Sequence, residues 1–93
     1  MPLLVLVAED DLGTRVSIQD YLQQLGYTVV TAADGQQALD ALNRFHPQLV
    51  ITDVKMPKLD GYSLIRQIRQ EPTLRLLPVI FLTARDAMRE RIR

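Results

Sequence analysis

Three separate apolar runs in this chain each lead into residues suited to holding a phosphate or a metal ion. Leu3 to Ala8 runs into Glu9, Asp10 and Asp11; Leu49 to Thr52 runs into Asp53; Val79 to Leu82 runs into Thr83. A short continuous apolar run suits a strand covered on both faces, the situation of a parallel sheet. If these runs are neighbouring parallel strands, their carboxyl ends lie side by side, and two or three carboxylates and one hydroxyl converge there. Ligands of open α/β sheets bind outside the carboxyl ends of the strands, where strand order reverses.

The segments between the runs carry helix signals. Asp11 can cap a helix on which Ile18, Tyr21, Leu22 and Leu25 share one face, with Gly26 as its stop. Thr28 to Thr31 is β-branched throughout and reads as a second strand. Asp34-Gly35 makes a turn or cap before a helix with Ala38, Leu39, Leu42 and Phe45 on its face, ended near His46-Pro47. Asp60 is placed to cap a third helix marked by Leu64, Ile65 and Ile68. Residues 86–93 read as the opening of a fourth. Strands alternating with helices give a doubly wound parallel sheet, with right-handed crossovers restricting its topology. Tyr21 and Tyr62 are placed at core margins, Met56 in loop packing, and His46 in a capping or surface role.

At 93 residues the chain is one domain, spanning residues 1–93. Eleven Lys and Arg balance 11 Asp and Glu, so this segment carries no electrostatic case for binding nucleic acid or an anionic membrane. The absence of Cys excludes disulfides, thiolate catalysis and Cys-based metal sites. The first apolar run has no basic leader and is too short for a signal core or a membrane span. A cytoplasmic protein is expected.

Clustered carboxylates repel, and in a pocket each raises the pKa of its neighbours. Glu9, Asp10 and Asp53 together therefore call for a cation. Mg²⁺ suits them, because it takes one or two carboxylates, keeps several waters and leaves positions for phosphate oxygens. Asp10 and Asp53 would coordinate directly, Glu9 directly or through water, and the backbone carbonyl of Lys55 would complete the protein's share. A carboxylate can also act as nucleophile toward phosphorus, and Thr83 would offer its hydroxyl to a phosphate oxygen.

The chain resembles the receiver domains of two-component response regulators. The resemblance rests on Val-Leu-Val-Ala-Glu-Asp-Asp at 5–11, Asp-Val-Lys-Met-Pro-Lys-Leu-Asp-Gly at 53–61 and Phe-Leu-Thr-Ala at 81–84, with Ala33-Asp34-Gly35 and Ala38-Leu39 at the second strand–helix joint. It implies a flavodoxin-like sheet of order 2-1-3-4-5, of which the chain would hold 2-1-3-4. It implies Asp53 as phosphoacceptor, Glu9 and Asp10 as the acidic pair for Mg²⁺, and Thr83 as a conformational-switch hydroxyl. The phosphoryl donor would be a phosphohistidine on a sensor histidine kinase or phosphotransfer protein. Lys55 and Arg85, each two residues after a key position, would tune phosphoryl lifetime.

Members of that family normally continue for about 25–30 further residues, the size of one more helix, strand and helix, and their fifth strand ends in a Lys that no position here replaces. Glu9 stands where Asp is commoner. A C-terminally truncated receiver is the expectation, with an unpaired edge at the fourth strand and an uncovered sheet face that favour self-association or weak folding. Two other classes compete. A phosphatase with an aspartyl nucleophile, of the haloacid-dehalogenase type, needs Asp-x-Asp, whereas Asp11 is followed by Leu12 and Gly13 and Asp53 by Val54 and Lys55. A phosphorylation-independent interaction module on the same fold is disfavoured by the complete acid set.

Overall fold

The structure, a computed structural model, describes residues 3–82. Its elements run β1 (Leu4–Ala8), α1 (Leu12–Gln24), β2 (Thr28–Ala32), α2 (Gly35–Phe45), β3 (Leu49–Thr52), α3 (Gly61–Gln70), a 3-10 turn (Pro72–Leu74) and β4 (Val79–Phe81). The strands form a parallel sheet in the order β2-β1-β3-β4, the order the family resemblance implies. Thr83, Arg85 and the helix expected over 86–93 lie outside the described residues.

Strand alternation splits the apolar runs between two faces. Leu6, Ala8, Ala32 and Val50 pack with Ala38, Ala41 and Leu42 of α2 and Leu64 and Ile68 of α3 into the main core. Val5 and Val7 point the other way, toward α1, and are fully buried. On that second face one row of the register runs Val7, Ile51, Ile80. Cover falls along it: Val7 is buried, Ile51 half-buried, and Ile80 52% exposed.

Helices α1, α2 and α3 each start at an Asp whose carboxylate accepts a backbone N–H in the first turn. Asp11 accepts from Thr14, Asp34 from Gln37, and Asp60 from Ser63. Short acceptors at this position satisfy amides that have no partner inside the helix. α1 ends at Gly26 with φ 97°, a left-handed conformation cheap only for glycine. α2 ends at His46, left-handed at φ 52°, whose N–H donates to Leu42. The following Pro47 disfavours a helical conformation for His46, so the helix stops there.

Two sequence expectations need correction. α1 buries no residue fully, and Tyr21 and Leu25 are 63% and 57% exposed. The inward stripe is Arg15, Ile18, Gln19 and Leu22, all half-buried. It keeps the i, i+3, i+4, i+7 spacing but is rotated from the apolar positions, because polar residues with long apolar stems cover the sheet as well as Leu does. Phe45, expected on the inner face of α2, is 47% exposed and lies under the Arg44 guanidinium, 5.7 Å from its ring centroid. Met56 packs against the main core, as expected. Tyr62 is 56% exposed, with its ring 5.3 Å from that of Phe81.

Candidate functional site: an acidic pocket at the strand ends

The register places the acids. Ala32, Ala8, Thr52 and Phe81 form the last row across the four strands. The residues that follow Ala8 and Thr52, Glu9 and Asp53, therefore leave the sheet side by side. Backbone bonds continue the ladder one step further: Glu9 N–H donates to Ala32 at 3.0 Å, Asp53 N–H to Ala8 at 2.9 Å, and Leu82 N–H to Thr52 at 2.9 Å. Glu9 and Asp53 are thus each held by a neighbouring strand.

Glu9, Asp10 and Asp53 each present one carboxylate oxygen, and these oxygens lie within 4.8 Å of one another. Their environments differ: Glu9 is buried at 5% exposure, Asp53 half-buried and Asp10 exposed. Glu9 Oε2 accepts the Asp11 N–H at 2.9 Å. Burial raises the Glu9 carboxyl to about 7, with the neighbouring Asp10 and Asp53 carboxylates adding to the rise and the Asp11 N–H opposing it. Asp53 Oδ1 accepts the Val54 N–H at 2.7 Å.

The surroundings hold this cluster in shape. The Arg15 guanidinium reaches back from α1 to the Glu9 carbonyl at 2.9 Å, pinning the turn between β1 and α1. The fully buried Thr52 hydroxyl donates to the Asp53 carbonyl at 2.9 Å, and the Met56 sulfur sits 3.9 Å from it. Gly61 packs so closely that a Cβ there would overlap the Asp53 carbonyl oxygen and press on the Phe81 ring. Its N–H closes the loop by donating to Val54 at 2.7 Å.

The structure therefore brings together three of the sequence-derived site residues, Glu9, Asp10 and Asp53. Lys55 is an exposed residue of the loop after Asp53. Arg15, Thr52 and Gly61 are supporting residues that sequence reasoning misses. Arg15 reads as a solvated helix cation and Thr52 as another β-branched strand residue. Only Gly61, sitting beside a helix-capping Asp, carries a signal, and it reads as part of a loop.

The donor set is all oxygen and anionic, which suits a hard divalent cation and excludes a soft-metal site. Magnesium–oxygen bonds of about 2.1 Å put an ion's ligands roughly 3–4 Å apart, the scale of this cluster. An ion held there would offset the mutual repulsion of the three carboxylates, Glu9 included, which is buried.

Comparison with known proteins agrees. Residues 5–93 match the response regulator receiver domain family. The chain is 44% identical over 92 residues to the response regulator MprA of Mycolicibacterium vanbaalenii, covering 99% of this chain and 39% of that protein. It is 39% identical over 92 residues to the response regulator Rre1 of Synechocystis, covering 98% and 40%. The chain thus spans about two-fifths of the length of these curated relatives. Among solved structures it resembles the chemotaxis response regulator CheY4 of Vibrio cholerae (TM-score 0.87, 28% identity, 98% of this chain and 77% of that one). It also resembles the receiver domain of the sensor histidine kinase PA1611 from Pseudomonas aeruginosa, solved with magnesium coordinated in its active-site cleft (TM-score 0.87, 34% identity, 100% and 76%). With this sheet order, these strand-end acids and a family match over residues 5–93, the chain belongs to the response regulator receiver domains.

Proposed function

We propose that this receiver domain stores a phosphoryl group on Asp53, taken from a phosphohistidine of a sensor histidine kinase or phosphotransfer protein, and that the modification switches output or partner binding. The observation that carries the reading is the meeting of Glu9, Asp10 and Asp53 at adjacent strand ends, with Asp53 half-open to solvent. A carboxylate oxygen of Asp53 attacks phosphorus. The oxygen–phosphorus bond forms as the phosphorus–nitrogen bond breaks, and the leaving imidazole nitrogen keeps that electron pair and takes a proton. Ser, Thr or Tyr would give a stable ester in its place; an acyl phosphate is labile and suits a reversible signal.

Glu9, Asp10 and Asp53 would hold Mg²⁺, with the Lys55 carbonyl as a further ligand. Bound there, the ion supplies charge neutralisation for the transferring group. Arg15 and Thr52 keep the acid-bearing backbone in register while charge moves through the pocket. By the family resemblance alone, Thr83 is assigned the switch hydroxyl, and Lys55 and Arg85 the tuning of phosphoryl lifetime. Among the described residues Ile80 is 52% exposed and β4 is the last strand of the sheet, and this face is assigned to self-association. Among the described residues no helix is long and apolar enough to cross a membrane.

Incubation with Mg²⁺ and a small acyl phosphate, followed by peptide mapping by mass spectrometry, tests the assignment. The expected result is one phosphoryl group on Asp53, absent in Asp53→Asn and without Mg²⁺. A label on another residue, or rapid turnover of the donor without a retained label, overturns it.

A further inference from the structure

The loop over residues 54–60 is fastened at its base and at its tip. The base is the Gly61 N–H bond to Val54 and the close packing of Gly61 on the Asp53 carbonyl. At the tip, Lys58 Nζ lies 3.6 Å from Asp34 Oδ2. Beside that pair the Leu59 backbone rests on Gly35, where a Cβ would overlap the Leu59 carbonyl. The tip is thus pinned to the first turn of α2, an element that belongs to neither strand bearing the acids.

Asp34 is a prepared anchor. Its side chain is 9% exposed, and its other oxygen, Oδ1, accepts the Gln37 N–H at 2.8 Å. That hydrogen bond, with Lys58 adding to it, holds the Asp34 carboxyl below its ordinary range, so it is charged wherever the protein works. Lys58 adopts a left-handed conformation at φ 68°, which a residue with a Cβ rarely takes. From that conformation its ammonium, on a side chain 70% exposed, reaches Asp34. An exposed ion pair usually contributes little because two side chains must be ordered; here the helix cap has already ordered one of them.

We propose that Lys58 and Asp34 form a latch that sets the path of the β3–α3 loop, making both positioning residues for cation binding and phosphoryl uptake at Asp53. The inference rests on the receiver reading above. Asp53 stands where this loop begins, and its Oδ1 is held by the loop's first N–H. A tip fixed to α2 narrows the conformations of the loop before the ion arrives, so less order remains to be imposed on binding.

The test compares the full 93-residue wild type with Lys58→Met, Asp34→Asn, the double variant and Lys58→Arg. Asn keeps the helix cap and removes only the charge. Mg²⁺ affinity is measured by calorimetry at pH 8, and amide hydrogen exchange of residues 54–59 is followed without Mg²⁺. Each single charge-removing variant is expected to weaken Mg²⁺ binding roughly threefold and to speed exchange in the loop. The double variant should be no worse than either single one, and Lys58→Arg should restore the wild type. Single variants indistinguishable from wild type in both measurements, or losses that add in the double variant, overturn the latch. A wild type that binds Mg²⁺ no better than Asp53→Asn defeats the receiver reading instead, and the exchange data then decide the latch alone.

Discussion

Replacing Glu9 by Gln should stabilise the metal-free protein at alkaline pH and abolish its response to Mg²⁺. The Glu9 carboxyl is buried at 5% exposure and titrates near 7 against an ordinary value of 4.5. Between those values the folded chain holds a proton that the unfolded chain has released, so stability falls as pH rises from about 4.5 to about 7 and levels off above. At 1.36 kcal/mol per pH unit the ionised side chain costs at most about 3 kcal/mol at pH 8. Gln keeps the oxygen that accepts the Asp11 N–H and carries no charge, so it escapes this cost. Urea denaturation in EDTA at pH 5 and pH 8 measures it: the variant should exceed wild type by less than about 1 kcal/mol at pH 5 and by about 3 kcal/mol at pH 8. Added Mg²⁺ should raise wild-type stability by RT ln(1 + [L]/Kd) and leave the variant nearly unmoved, and wild-type affinity should weaken as pH drops below 7. A stability difference that is the same at both pH values would refute the claim that buried charge is the cost at this site.

Other expectations follow from the same contacts. Gly61→Ala should destabilise by about 1–3 kcal/mol, since a methyl group there drives into the Asp53 carbonyl; a thermal melt equal to wild type would contradict that packing. Asp60→Ala removes the acceptor for the Ser63 N–H at 2.7 Å and should cost about 1 kcal/mol without changing Mg²⁺ affinity measured by calorimetry. Leu64→Ala, in the core between α3 and the sheet, should cost about 2–5 kcal/mol, read by denaturation. Sedimentation of the 93-residue chain should show a concentration-dependent average mass, reduced by Ile80→Lys at this half-exposed position; a monomer at every concentration would end the self-association proposal.

β1 and β3 are legible because burial on both faces leaves a composition signal that needs no partner to be seen. Leu49–Thr52 came out with its observed bounds, and β1 differed only at Leu3, which is 45% exposed where the sheet has ended. The three Asp caps were legible for the same reason: the interaction is local, three residues along the chain. The face of α1 was not. Its inward stripe contains Arg15 and Gln19, so its apolar positions mislead about direction, and only the packed neighbour settles which side is covered.

The same division between local and distant causes separates the acids from what supports them. Glu9, Asp10 and Asp53 announce themselves because carboxylates directly after apolar strands are costly without a purpose. The groups that make them a site act through backbone atoms: Arg15 on the Glu9 carbonyl, Thr52 on the Asp53 carbonyl, and Gly61 packed against that same carbonyl. Backbone acceptors are the same at every position, so no residue pattern marks where a side chain will find one. Two of these three contacts converge on the Asp53 carbonyl, at the junction between β3 and the loop that follows it. If Asp53 carries the phosphoryl group proposed above, this junction lies next to it, and Gly61, the first residue of α3, packs directly on it.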